Sequence, residues 1–221
     1  NLTCIEVDDA EWSASNWTDY IDPQTSFSEN CNNDCSNSTI VNIPDANFKA
    51  YLITNSDINT NGDTEIQVSE ANTYTGGINC YDENISDLTG IEAFTTLTFL
   101  DCDNNELTSL DVSTNTALEG LYCSGNNLTS LDVSTNTALE GLHCSGNNLT
   151  SLDVSSNTAL EVLYCSVNQL TSLDVSTNTA LEVLYCYFNE LTSLDVTTNT
   201  ALIVLYCYYN ELTSLDVSSN T

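Results

Sequence analysis

Residues 107–127 read LTSLDVSTNTALEGLYCSGNN, and the same phrase returns with small changes at Leu128, Leu149, Leu170 and Leu191, then starts again at Leu212. Cys102, Cys123, Cys144, Cys165, Cys186 and Cys207 fall in one column, and Cys80 stands one residue out of step. Self-similarity at a short fixed period is the signature of a solenoid, in which each repeat is one coil stacked on the next. A solenoid presents a long, regular surface rather than a pocket, so this pattern favours binding over catalysis.

The spacing inside each period explains the coil. Leu121 and Cys123 are two residues apart, as are Leu131 and Val133, so each pair points to one side of a short strand. Two short parallel strands per coil are expected, enclosing a thin core of Leu, Cys, Val and Ala. Two asparagine columns, Asn105 to Asn210 and Asn115 to Asn220, fall where the chain turns. Their amides are expected to pair backbone groups that a curved coil leaves without partners.

Both halves of the period, Leu118-x-x-Leu121-x-Cys123-x-x-Asn126 and Leu128-x-x-Leu131-x-Val133-x-x-Asn136, match L-x-x-L-x-(apolar)-x-x-N. The pattern resembles the leucine-rich-repeat family, and within it the short bacterial class with nested half-repeats, the IRREKO type. The resemblance covers roughly residues 78–221. It implies a repeat solenoid of mainly short parallel β-strands on two faces, with a small helical N-terminal cap. It also implies kinship with secreted surface proteins of Bacteroidetes-type bacteria, which are exported and often attached to the cell.

Composition narrows the partners. Thirty-two acidic residues face a single base, Lys49, for a net charge of −31. Nothing in such a chain neutralises phosphates, which excludes nucleic acid. Binding to an anionic membrane is disfavoured for the same reason, and no stretch approaches the apolar length of a membrane span. The acidity suits an extracellular, cell-surface setting. Enzyme readings fail on inventory: one His, one Lys and no Arg give no base–nucleophile pair or phosphate clamp.

The ladder cysteines alternate with inward leucines and read as buried thiols acting as small apolar residues. Cys4, Cys31 and Cys35 lie outside the repeats. A Cys4–Cys31 disulfide is preferred because it would tie a terminal strand to its cap, and Cys31–Cys35 is the alternative. Residues 1–31 read as the closing cap of a preceding solenoid, with Trp12, Trp17, Tyr20 and Phe27 available to cover an open core. Residues 32–39 read as a polar linker. Residues 40–77 read as an N-terminal cap with a short helix started by Asp45, Phe48 and Leu52 sharing its inner face. The solenoid proper is expected over 78–221. Both ends cut through a repeat and meet nearly in register, so the segment is expected to be part of a longer chain, with tandem units as one possibility.

Three features stand outside the core pattern. Residues 59–70 keep the spacing of an EF-hand calcium loop, with Asn59, Asn61, Asp63, Glu65 and Glu70 as the expected ligands for Ca2+. Asn in place of the first Asp, and Thr64 in place of the glycine, depart from that motif. On one half of every coil an Asp column, Asp111 to Asp216, faces outward one strand spacing apart. Local hydrogen bonds or bound cations are expected to relieve its repulsion. On the other half the outward residues grow aromatic toward the C-terminus: Tyr164, Tyr185, Tyr187, Phe188, Tyr206, Tyr208 and Tyr209. Such rings either only stack between strands or mark a recognition surface.

The function expected is a secreted, non-catalytic adhesion or recognition scaffold, binding a protein or glycan on cell surfaces. The alternatives are a structural filament or stalk built from neighbouring copies, and a carbohydrate-binding module of a larger secreted enzyme.

Overall fold

The computed structural model describes residues 40–220 together with Cys4–Glu6, Ser13 and Ser26–Ser28. In that first part β1 (Cys4–Glu6) pairs in parallel with β2 (Ser26–Ser28). The expected Cys4–Cys31 and Cys31–Cys35 bonds, the linker 32–39 and most of the closing cap lie outside the described residues.

From residue 40 the chain builds a cap and then a solenoid. Helix α1 (Ala46–Thr54) is started by Asp45, whose Oδ1 accepts the N–H groups of Asn47 and Phe48 at 2.9 and 3.0 Å. This satisfies donors that a helix start leaves open. The other oxygen of Asp45 accepts both the N–H and the hydroxyl of Ser86 at 2.9 Å. One carboxylate therefore starts the cap helix and clamps it to the first coil. Burial works against its charge, but these bonds outweigh burial and hold its pKa below the usual value. Phe48 and Leu52 are fully buried and belong to the same apolar cluster as the coils, so the helix closes the open end of the core.

The segment between α1 and α2 (Val68–Thr73) is held by Glu70. One carboxylate oxygen accepts the N–H and hydroxyl of Thr60 and the N–H of Asn61. The other accepts the N–H of Gln67, completing a capping box on α2. Asn59 donates to the carbonyls of Ile53 and Asp63 and accepts from Gly62 N. Asp63 binds Glu65 N, Gln67 Nε2 and Asn61 Nδ2, while Glu65 pairs with Lys49 at 2.6 Å. The residues at calcium-loop spacing thus bond one another and the backbone.

Seven strands follow: β3 (Gly77–Asn79), β4 (Phe99–Asp101), β5 (Gly120–Tyr122), β6 (Gly141–His143), β7 (Val162–Tyr164), β8 (Val183–Tyr185) and β9 (Val204–Tyr206). They form one parallel sheet in sequence order, with Leu100, Leu121, Leu142, Leu163, Leu184 and Leu205 in register. The first coil turns through a 3-10 segment, Ile91–Ala93, entered by Gly90 at φ 107°. A Cβ on Gly90 would meet Ile43 at 2.7 Å, so the glycine also lets the cap cross closely. Leu and Cys columns fill the interior, and Cys80, Cys102, Cys123, Cys144, Cys165 and Cys186 are free, buried thiols. Burial pushes the Cys80, Cys144 and Cys186 pKa values up to about 12, which keeps these groups neutral.

The second half of each coil forms no strand. Its N–H groups turn into the coil's own bonds: Asn136 N to Val133 O, Leu139 N to Asn136 O, and Ser134 N to Asp132 Oδ1. Inter-coil hydrogen bonds on this side come from one backbone bond per coil, such as Asn148 N to Leu128 O, from asparagine, and at some coils from a hydroxyl, as Thr177 donates to Ser155 O. The strand expected around Leu131 and Val133 does not form, and the N–H groups that follow it, of Ser134 and Asn136, are bonded within the coil.

The two asparagine columns work differently. Asn168 Nδ2 donates to Cys144 O of the preceding coil at 3.0 Å and to Cys165 O of its own, while its Oδ1 accepts Leu149 N at 3.0 Å. Asn157 Nδ2 donates to Val133 O at 3.0 Å and Asn136 O at 2.8 Å, but its buried Oδ1 has no partner. Asn115, Asn136, Asn178, Asn199 and Asn220 share that one-sided use.

Two predictions follow from these bonds. Asn157→Ala removes a second donor from the Val133 and Asn136 carbonyls, which keep the N–H groups of Asn136 and Leu139, whereas Asn168→Ala leaves the buried N–H of Leu149 without an acceptor. Both are expected to destabilise, by about 2–4 kcal/mol, with Asn168→Ala the worse. Urea titration of the two variants checks the order, and equal midpoints would refute it. For the cap, Glu70→Ala is expected to lower the melting temperature equally in calcium and in chelator, because its bonds close the loop unaided. A calcium-specific rise in the parent, lost in Glu70→Ala, would instead assign the loop the cation role its spacing predicts.

Candidate functional site

The two sides of the coil carry different chemistry. On the strandless side Asp111, Asp132, Asp153, Asp174, Asp195 and Asp216 each accept the N–H of the Ser or Thr two residues on at 2.9 Å. Hydroxyl and backbone bonds from that residue hold each carboxyl below its usual pKa. Local hydrogen bonding thus offsets the repulsion along the column. Among the described residues no group of three His, Cys, Asp or Glu side chains is placed to hold a metal ion.

On the strand side the rings form columns. Phe99 meets Tyr122 edge-on at 4.9 Å. Tyr122, His143, Tyr164, Tyr185 and Tyr206 then stack face to face at 3.8, 4.1, 4.4 and 4.6 Å. Parallel pairing in register fixes this geometry, since each ring sits on the same strand position one coil further on. Burial within the stack lowers the His143 pKa to about 4, so the imidazole is neutral at physiological pH. Gly120 faces outward beneath Phe99, where a Cβ would meet the ring at 2.6 Å, and is buried.

Two further columns open in the last coils. Tyr187 stacks on Tyr208 at 4.8 Å, and Phe188 stacks on Tyr209 at 4.3 Å. Edge contacts tie the columns together, Tyr187 to Phe188 at 5.8 Å and Tyr208 to Tyr209 at 5.4 Å. One column of rings widens to three between β7 and β9. Tyr164, Tyr185 and Tyr187 are half-buried, while Phe188 is 47%, Tyr206 47%, Tyr208 51% and Tyr209 68% exposed. All seven expected aromatic residues thus lie on one surface.

Sequence reasoning passed over one member of this surface. Val167 is 48% exposed and occupies the same position as Phe188 and Tyr209 one and two coils later. The signal was present in its own column, Asn104, Gly125, Gly146, Val167, Phe188 and Tyr209. Every one of these residues has a φ between 53° and 65°.

At the other end of the same face the outward positions hold acids. Asp101 and Asp103 stand on and just after β4, and burial pushes the Asp103 pKa up to about 6 against the pull of the N–H of Ser124. The single histidine is enclosed between two tyrosine rings, and the single lysine is ion-paired. No helix among the described residues is long and apolar enough to cross a membrane.

Comparison with known proteins agrees with this architecture. The sequence profile of the endo-beta-N-acetylglucosaminidase EndoS LRR domain matches residues 63–178, and a profile of two leucine-rich repeats matches residues 158–199. Among solved structures the chain is similar to the functional domain of InlJ from Listeria monocytogenes, which includes a cysteine ladder. The two share 34% identity with a TM-score of 0.51, over 80% of this chain and 48% of that one. A leucine-rich-repeat protein of Leptospira interrogans shares 28% identity over 58% of this chain and 36% of that one, with a TM-score of 0.55. The internalin InlF of Listeria monocytogenes has a TM-score of 0.61 at 19% identity, over 78% of this chain and 58% of that one, a likeness of fold. This chain spans about half the length of the InlJ domain. Comparison with curated proteins finds no matching sequence. Since that profile matches more than half of its length, the chain belongs to the family of leucine-rich-repeat domains represented by that of EndoS.

Proposed function

We propose that the chain is a secreted, non-catalytic recognition scaffold that binds a protein partner on its strand face. The observation that carries this reading is the widening of the ring surface from one column to three over the last coils, while the core columns stay constant. Packing does not call for the extra rings, since earlier coils close with Gly and Ser at the same positions. Clustered, partly exposed Tyr and Phe supply large contact area at small entropic cost.

Ring geometry favours a protein over a glycan. Sugars bind aromatic residues by lying on an open ring face. In the column from Tyr122 to Tyr206 the inner rings are covered on both faces by neighbours at 3.8–4.6 Å, leaving edges and hydroxyls outward. Kinship with internalin-type repeat proteins supports a bacterial surface setting. The name of the matched family favours a second reading, a repeat module carried by a larger secreted enzyme.

Tyr187→Ser with Tyr208→Ser restores the Ser of earlier coils at both positions and should leave the fold intact. Beads coated with this variant are expected to be retained on protein-coated surfaces at least about tenfold less than the parent, the scale of a lost hot spot. Undiminished retention would reduce the columns to a stacking ladder. Retention on glycan-coated surfaces alone would transfer the reading to a carbohydrate module.

A further inference from the structure

One column on the rim of the strand face is built against its own backbone preference. The residue that follows each strand by three positions turns the chain in the left-handed region: Asn104, Gly125, Gly146, Val167, Phe188 and Tyr209. Its N–H still bonds the next coil, as in Val167 N to Tyr187 O at 2.9 Å, so the conformation is fixed by stacking. Glycine adopts it freely and asparagine adopts it readily. A β-branched valine at φ 55°, then Phe at 54° and Tyr at 53°, are held there at a cost.

That strain is not repaid by burial. Val167, Phe188 and Tyr209 are about half to two-thirds exposed. Two earlier coils close on glycine, and at Gly146 an added Cβ would meet nothing nearer than 3.5 Å, so the glycine is chosen for its φ. The residue two positions on is acidic beside the ridge: Phe188 and Tyr209 are followed by Glu190 and Glu211, as Asn104 is by Glu106, while Gly125, Gly146 and Val167 are followed by the amides Asn127, Asn148 and Gln169. Glu190 and Glu211 are exposed and form no ion pair among the described residues. The chain has no free base to offer them, because Lys49 is held by Glu65.

We propose that Val167, Phe188 and Tyr209 form an apolar ridge that, with Glu190 and Glu211, docks a basic segment of a partner protein. The proposal rests on the recognition reading of the strand face and names the chemistry of its partner. Charge complementarity selects that partner: a surface carrying −31 with no free cation repels acidic segments and needs Lys or Arg from outside. Lysine and arginine suit the ridge further, because their apolar stems pack on ring edges while their heads reach carboxylates and tyrosine hydroxyls.

The test uses short labelled peptides alternating valine with lysine, glutamate or serine, followed by fluorescence anisotropy in physiological salt. The Lys–Val peptide is expected to bind the parent chain, and the Glu–Val and Ser–Val peptides to bind at least about tenfold more weakly. Phe188→Asn with Tyr209→Asn keeps a residue suited to the left-handed turn, as at Asn104, and Phe188→Gly with Tyr209→Gly copies Gly125 and Gly146. Either pair is expected to lower Lys–Val binding at least about tenfold with the melting temperature preserved, and Glu190→Gln with Glu211→Gln to lower it severalfold. Asp132→Asn, Asp153→Asn and Asp174→Asn together, on the opposite side, are expected to change it less than about twofold. The proposal is overturned if the parent does not bind the Lys–Val peptide, if the ridge variants bind it as the parent does, or if the Asp-column variant loses as much as they do. Tyr187→Ser with Tyr208→Ser still losing bead retention in those cases would leave the wider recognition reading standing.

Discussion

An asparagine amide reaching from one coil to the one before it is the interaction on which the rest of this solenoid depends. Strands of three residues make too few ladder bonds to hold a stack by themselves. Asn126, Asn147, Asn168 and Asn189 add donors to two carbonyls and an acceptor for one N–H at each joint. Their side chains are buried, where an unmade bond is expensive and a made one is strong. The stack is therefore fixed in register from inside, and the outward positions are left free to vary without disturbing it.

That freedom is used unequally. On the strandless side the Ser-x-Asp-x-Ser/Thr pattern stays nearly constant, because each aspartate also closes its own turn. On the strand side, apart from Gly120 beneath Phe99 and the left-handed turn position, the outward residues vary, and the columns run from carboxylates at Asp101 and Asp103 to three rows of rings at β9. A rigid frame with one variable face is an arrangement suited to recognition, since the partner's contacts are presented without ordering cost.

Much of this was legible in the residues. The period placed Leu, Cys and Asn inside, and Asp45 with Phe48 and Leu52 marked the cap helix, because these depend on local spacing alone. The missing second strand was not legible, because Leu131 and Val133 alternate as a strand would while their neighbours' N–H groups are claimed by turns. The covering of Gly120 by Phe99 depends on a residue 21 positions earlier. Loop 59–70 shows the same limit: spacing identified its polar residues, but whether Glu70 faces an ion or the backbone of Thr60 and Asn61 is decided in three dimensions. The left-handed column was visible as Asn, Gly, Gly, and then hidden once Val167 broke the glycine pattern.

The central claim is that this face was shaped for contact at some expense to the fold, and Val167 tests it most directly. Val→Gly in an extended segment ordinarily destabilises, through lost packing and a freer unfolded chain. At φ 55° the exchange also removes left-handed strain from an exposed side chain. The melting temperature of Val167→Gly is therefore predicted to equal or exceed that of the parent, by about 1–3 °C. A fall of several degrees would show that the valine serves the fold, and would contradict the account.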